Sequence, residues 1–388
     1  MFISNDIKYV GVNDRNIDLF EGQYKVKNGM AYNSYLIFDE KTAVFDSVDA
    51  NFSEEWLNNV QTALNGELPD YLIVLHMEPD HSGSILRFMQ KYQSAKIVSN
   101  KKSFDMMRQF FGCNFTDRQI VVADGDTFTL GKHEITFIFA PMVHWPEVMT
   151  AYDGYDKVLF SADAFGKFGT TDADEDWACE ARRYYVGIVQ KYGLPVTNLL
   201  KKVEKLDIKT ICPLHGPVLN ENLGYYVGLY KTWAGFSPEN KGVVICYTSV
   251  YGNTKKAVDL LENQLKTRGE TVIVYDLARC DTSEALEDAF RYDRLVLATT
   301  TYCNTVFPFM SDFINRLTVR DFKSRTVGFI ENGTWAPNAT KTMQTMLQFC
   351  KDLKFLENNV RILSALDENS TASVLKMADE LSGVSDAL

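Results

Sequence analysis

Beyond residue 241 the chain alternates apolar strand-like runs with amphipathic helical stretches, and this alternation restricts its fold more than any other feature. Five runs read as strands: GVVICYT, TVIVYDL, RLVLATT, RTVGFI and VRILSAL. Four are rich in Val, Ile and Leu without polar alternation, which is the pattern of strands covered on both faces. Helices are expected between and after them, at about 255–268, 282–290, 308–318, 339–353 and 369–382. Such repetition builds a doubly wound, five-stranded parallel sheet. From residue 1 to about 240 the pattern is different, with many β-rich runs (YNSYLIFDE, TAVFDSV, YLIVLHM, AKIVSN, EITFIFAPM, KVLFSAD) and fewer helices, an α+β arrangement. Between the two patterns, WAGFSPENKG (233–242) carries Gly, Ser and Pro with few apolar residues and reads as a linker. The expected domains are therefore 1–240 and 241–388, and two domains suit a chain of 388 residues.

Composition excludes several classes. No stretch approaches the roughly 20 apolar residues of a membrane-spanning helix. The opening MFISNDIKYVGVNDRN lacks a basic segment followed by an apolar run, so a cytoplasmic location is expected. Seven cysteines (113, 179, 212, 246, 280, 303, 350) never form a CxxC pair. This argues against a disulfide framework and against a Cys-rich zinc or iron–sulfur module. A net charge of −11 disfavours nucleic acid as a partner.

A doubly wound sheet places its ligand in loops leaving the C-terminal ends of its strands. The first such loop is Thr248-Ser249-Val250-Tyr251-Gly252-Asn253-Thr254, which leads directly into a helix. Hydroxyls, an Asn and a Gly at a helix N-terminus suit a phosphate, because backbone N–H groups and the helix dipole both favour an anion there. The loop has no lysine and is not GxxxxGK[ST], nor is it GxGxxG. It resembles the phosphate loop of flavodoxins, which binds FMN. In that fold two further loops hold the flat ring, here Thr300-Thr301-Tyr302-Cys303-Asn304 and Asn332-Gly333-Thr334-Trp335-Ala336. Tyr302 and Trp335 each offer a face for stacking, although either alone reads equally well as a loop aromatic packed on its own domain. Related proteins carry a more glycine-rich third loop. Pro337, with no Gly after Trp335, leaves the contacts of 332–338 open.

The first domain has a sharper signal. The run after 71–75 is His76-Met77-Glu78-Pro79-Asp80-His81-Ser82-Gly83-Ser84, with several metal-capable side chains in a short span. Asp80 and His81 would point to opposite faces of a regular strand, so a loop entering a helix is required. Downstream come His144 in MVHWPE, Asp163 in FSADAFGKFG and His215 in CPLHGPV, each after a strand-like run. The chain has five histidines, and only His133 lies outside these motifs. His133 takes the ordinary reading of a satisfied core histidine in a Gly-Lys-His turn. The other four, flanked by Glu, Asp, Gly and Pro, point to a metal site.

HxExDHSG, HWPE, SADAFG and HGPV, in this order and followed by a flavodoxin-like domain, resemble the flavodiiron proteins (A-type flavoproteins). The resemblance covers essentially the whole chain and implies a metallo-β-lactamase-like αββα sandwich for the first domain. Hydrolases of that fold typically read HxHxDH, whereas here Glu78 stands at the second histidine position. A carboxylate there makes the ligand set harder and more anionic, which suits iron better than hydrolytic zinc. The resemblance implies His76, Glu78 and His144 on one iron, Asp80, His81 and His215 on the second, and Asp163 bridging. Family members differ in whether the position of His81 binds directly. Glu147 reads either as a residue orienting a ligand or as a solvated surface Glu. GMAYNSYLI also looks family-like, without an assigned role.

The implied chemistry is reduction of dioxygen to water, of nitric oxide to nitrous oxide, or both, with FMN as relay. The family also implies a head-to-tail homodimer or a dimer of dimers, and a separate electron carrier such as rubredoxin. Two other classes remain to be separated from this one. One is a zinc hydrolase with a regulatory flavodoxin-like domain, and the other is an electron-transfer module whose metal is only structural.

Overall fold

In the computed structural model, which describes residues 1–383, the chain divides into two units. One comprises Met1–Tyr185 with Tyr192–Lys231, and the other Val186–Lys191 with Thr232 onward.

The first unit is built on two sheets. One runs Ile7–Tyr9, Tyr35–Ile37, Ala43–Phe45, Tyr71–Ile73, Lys96–Ser99 and Gln119–Val121, antiparallel over its first three strands and parallel thereafter. The other runs Thr127–Thr129, Glu134–Phe139, Met149–Asp153, Val158–Phe160 and Thr210–Cys212, with only the last pair parallel. Apolar side chains fill the space between them. Phe45 stacks on Phe160 at 4.1 Å with planes 16° apart, and Tyr71 meets Phe128 edge-on at 4.8 Å. Helix Ser53–Leu64 turns Trp56, Val60 and Leu64 inward, and helix Gly193–Val203 lies against Glu134–Phe139. This is the metallo-β-lactamase-like sandwich.

The second unit is a flavodoxin-like parallel sheet ordered Val272–Asp276, Asn240–Tyr247, Tyr292–Tyr302, Thr326–Asn332 and a split edge. Its apolar runs are explained by the two faces. Val244, Cys246, Leu295, Leu297 and Phe329 pack with helices Thr282–Arg291 and Pro308–Val319. Val243, Ile245, Val296 and Ile330 pack with helices Asn253–Thr267 and Glu368–Ser382 on the other side. Successive residues alternate faces, so a strand covered twice must be apolar throughout.

Three local readings change. The fifth strand is two short pieces, Lys354–Phe355 and Val360–Ile362, both paired with Thr326–Asn332. Lys354 faces Thr326 and Val360 faces Ile330. The edge therefore holds two more residues than its neighbour over that span, and the excess bulges out of register. The helix expected over 339–353 stops at Met346, and the chain then turns, with Asp352 in the left-handed region at φ 55°. Residues 233–242 are not a loose linker. They begin inside helix Leu223–Ala234, Trp233 and Phe236 are buried, and Trp233 Nε1 donates to Glu239 at 2.7 Å. Buried Arg325 donates to the carbonyl of Phe236 at 2.7 Å.

Candidate functional site

The strands of the first unit deliver the ligand-type residues to one place. After Tyr71–Ile73 the chain is held by Asp46, whose Oδ1 accepts from the N–H of Leu75 at 2.7 Å and of His76 at 3.3 Å. Glu78 then caps a single helical turn, Pro79–Ser82, which begins with Pro79. On that turn Asp80 and His81 both point inward, as a strand would not allow. Asp163 sits in the turn after Val158–Phe160, between Ala162 (φ 51°) and Phe165 (φ 66°). His215 follows Thr210–Cys212, and His144 lies in the connection between Glu134–Phe139 and Met149–Asp153.

The side chains converge in two groups: His76, Glu78, His144 and Asp163, and then Asp80, His81 and His215. In the first, Glu78 Oε2 lies 2.9 Å from His144 Nε2 and 3.3 Å from His76 Nε2. In the second, His81 Nε2 and His215 Nε2 lie 3.0 Å apart, each 3.4 Å from Asp80 Oδ2. Asp163 belongs to both. Its Oδ2 is 3.0 Å from His144 Nε2 and 3.3 Å from His76 Nε2, while its Oδ1 is 3.2 Å from His81 Nε2 and 3.8 Å from His215 Nε2.

These residues fit a pair of metal ions. Donor atoms about 2.1 Å from a metal stand roughly 3.0–3.4 Å from one another, the range in which most of these atoms lie. Both oxygens of Asp80 and both of Asp163 are buried and accept no conventional hydrogen bond, although buried carboxylates are ordinarily satisfied. The protonation pattern agrees. Burial alone would push His76 down, but Asp163, Glu147 and Glu78 raise it well above the usual histidine value. Likewise, against burial, Asp163 and Glu78 raise His144 to about 9. Burial, and then the charge of His81, lowers His215 to about 3. Despite burial, the imidazoles of His76, His144 and His81 hold Asp163 well below the usual carboxylate range. Protons on imidazole thus do the work that bound cations would do, and cation binding would release them.

Residues behind the cluster fix the rings. Glu147 has a buried side chain, which excludes the solvated reading. Its Oε1 lies 2.8 Å from His76 Nδ1 and accepts from the N–H of Met77 at 2.9 Å. His215 Nδ1 donates to the carbonyl of Ala31 at 2.8 Å. Asn33 Nδ2 donates to the carbonyls of Pro213 and Gly216, both at 2.8 Å. GMAYNSYLI therefore holds the His215 loop. Its motif-like look was the only sign in the sequence, and Asp46 gave none. His133 is buried in the core, as expected, with Nδ1 3.0 Å from Asp153, but its Nε2 has no hydrogen-bond partner.

In the second unit, the three loops at the strand ends line an open cleft of about 540 Å³. Gly252 caps helix Asn253–Thr267 at φ 86°, a left-handed conformation that glycine adopts without strain. Buried Thr254 has a hydroxyl with no hydrogen-bond partner, while Thr248 Oγ1 is paired with Thr299 Oγ1 at 2.7 Å. Ser249, Val250, Tyr251 and Asn253 line the cleft with Tyr302, Cys303, Asn304, Gly333, Thr334 and Trp335. Trp335 is 81% exposed and Tyr251 92%, so neither ring is packed into its own domain. Thr301 Oγ1 accepts from the N–H of Asn338 at 3.0 Å and of Ala339 at 3.2 Å. Asn338 Nδ2 reaches the Asn304 carbonyl at 3.0 Å. Where a glycine is absent, Ala336 itself takes φ 46°. A helix N-terminus, an orphaned hydroxyl and exposed aromatics fit a phosphorylated flat ring such as FMN.

Comparison with known proteins agrees with this geometry. Residues 30–216 match the family described as ODP family beta lactamase, and 244–361 match a flavodoxin domain. An anaerobic nitric oxide reductase flavorubredoxin of Salmonella arizonae is 29% identical over 364 residues, covering 90% of this chain and 75% of that protein. An uncharacterized protein of Methanocaldococcus jannaschii is 29% identical over 353 residues, covering 89% of this chain and 88% of its own. The structure of rubredoxin oxygen:oxidoreductase from Desulfovibrio gigas superposes with a TM-score of 0.92 at 25% identity, covering 99% of this chain and 98% of the other. Fold and site together define a metallo-β-lactamase-like metal domain followed by a flavodoxin-like domain. The chain belongs to the flavodiiron protein family, and is an oxidoreductase with FMN and a di-iron site as its cofactors. Among the described residues, no helix is long and apolar enough to cross a membrane.

Proposed function

We propose that this chain reduces dioxygen, nitric oxide or both at its two-iron site, with FMN passing on electrons from an external carrier. The observation that carries the reading is the division of Asp163, one oxygen facing each group of ligands. In this reading His76, Glu78 and His144 hold one iron, Asp80, His81 and His215 the other, and Asp163 bridges. Together, the irons and the flavin supply one-electron relay and paired delivery of electrons to a diatomic. The protein's part is to keep the donors fixed. Glu147 anchors the His76 ring, Ala31 the His215 ring, and Asn33 the backbone on either side of His215. Phe20, Tyr32 and Tyr184 pack around His215 and limit the water that reaches it.

Thr248, Ser249, Val250, Tyr251, Gly252, Asn253 and Thr254 hold the FMN phosphate end, and Thr301, Tyr302, Cys303, Asn304, Gly333, Thr334 and Trp335 the ring end. The functional division is 1–240 for metal and 241–388 for flavin. A rubredoxin-like carrier as donor, a head-to-tail homodimer or dimer of dimers, and a cytoplasmic setting complete the proposal. Support comes from the relatives' names, one a nitric oxide reductase and one a rubredoxin oxygen:oxidoreductase. The test is metal and flavin analysis of anaerobically purified protein, followed by separate dioxygen and nitric oxide consumption assays. Two irons and one FMN per chain with turnover of either gas is the expected result. Two zincs without iron would make the chain a hydrolase instead.

A further inference from the structure

Away from the four-histidine site, a second knot of ligand-type side chains gathers around His133. The ring is fully buried. Its Nδ1 lies 3.0 Å from Asp153 Oδ2. Asp153 is itself buried and accepts from the backbone N–H of Asp156 at 3.1 Å and of Tyr155 at 3.2 Å. One carboxylate thus orients both the imidazole and the turn that carries Asp156. With Nδ1 held by Asp153, Nε2 is the nitrogen left to meet a ligand, and a cation binding there would displace any proton it carries. That nitrogen is buried and has no hydrogen-bond partner. The Asp6 Oδ2 atom stands 3.6 Å away, too far for a hydrogen bond.

Ligand atoms of Asp6, His133 and Asp156 all lie within 4.8 Å of one another. A histidine gripped at Nδ1 by one carboxylate, with a second 3.6 Å from its other nitrogen and a third in the same cluster, is the arrangement a metal ligand adopts. We propose that Asp6, His133 and Asp156 form a third cation site, separate from the di-iron centre, for a divalent transition metal such as zinc. One imidazole and two carboxylates suit zinc, with water completing its coordination. Two neighbours already touch the carboxylates. Lys132 Nζ lies 2.6 Å from Asp6 Oδ2, and Ser4 Oγ donates to Asp156 Oδ2 at 2.5 Å. Lys132 is 42% exposed, so it can swing into solvent when a dication takes its place, and each carboxylate has a second oxygen.

The site has a structural consequence. Asp6 precedes the edge strand Ile7–Tyr9 of one sheet, while His133 and Asp156 flank the hairpin Glu134–Phe139 and Met149–Asp153 of the other. A cation there staples the N-terminal strand across the sandwich.

The test uses full-length protein loaded with iron and FMN, equilibrated with micromolar zinc, desalted, and analysed for both metals and for thermal unfolding. A single zinc per chain is expected above an unchanged iron content, with a raised unfolding temperature. His133→Gln and Asp156→Asn, each retaining iron and FMN, are expected to take up no such zinc and to show no rise. Zinc uptake equal to that of the parent in these variants, uptake matched by iron loss, or no uptake at all would overturn the proposal. Should His133→Gln fail to fold, half-exposed Asp156→Asn decides alone.

Discussion

His81 Nε2 and His215 Nε2 face each other at 3.0 Å, and only one proton can lie between them. His215 gives its Nδ1 proton to the carbonyl of Ala31, so its Nε2 carries a lone pair. The proton shared by the two rings then belongs to His81, whose pKa is raised against burial by Asp80 and Asp163. In the proposed ligand set a cation takes that proton's place, and His81 lies inside the cluster.

His144→Ala removes the imidazole that Glu78 and Asp163 share. Iron content and gas reduction are expected to fall together while FMN stays at one per chain, because the flavin cleft is lined only by residues of the second unit. Metal analysis and flavin absorbance measure both. Loss of FMN with the iron would show the two sites to be interdependent.

Glu147→Gln keeps the shape and an oxygen for the N–H of Met77, but removes the charge beside His76 Nδ1. Such a change behind a ligand weakens metal affinity by about 10–100-fold. Chelator competition against the parent protein is expected to show that weakening, with thermal stability of the iron-free form little changed.

Asn33→Leu strands the buried carbonyl of Gly216 and leaves that of Pro213 with only the Tyr35 hydroxyl. An unmet buried group costs about 1–3 kcal/mol, so the unfolding midpoint of the first unit should fall in urea. An unchanged midpoint would mean that the His215 loop does not depend on this clamp.

Thr254→Val replaces a buried hydroxyl that lacks a partner in the flavin-free chain. Stability without FMN is expected to hold or rise slightly. FMN affinity should fall by roughly 10-fold or more, the worth of one hydrogen bond to a charged group. Fluorescence titration with FMN measures it, and an unchanged affinity would place the phosphate elsewhere.

The parallel sheet was legible because strands covered on both faces must be apolar at every position, as Val243, Val244 and Ile245 are. Its split edge was not, since pieces as short as Lys354–Phe355 carry too little pattern to register. The convergence of His76, Glu78, Asp80, His81, His144, Asp163 and His215 was legible because metal-capable side chains cluster in motifs. Their supports were not. Glu147 after a proline resembles any surface acid, and Asn33 and Asp46 act through backbone groups that no pattern reveals. The attachment of Val186–Lys191 to the second unit is likewise a matter of packing between distant segments. The surroundings of His133 were not legible because a lone histidine in a turn has no local signature. Asp6 and Asp156, which gather near it, are remote in sequence.

In the proposed route, electrons leave reduced FMN through the site that Asp163 joins. Stopped-flow mixing of anaerobically reduced protein with dioxygen, and separately with nitric oxide, reads flavin reoxidation directly. Fast reoxidation by at least one gas in the parent, and its loss in Asp163→Asn with FMN still bound, is the expected result. Equally fast reoxidation in Asp163→Asn would rule out this route, because the flavin would then be reacting without the metal site.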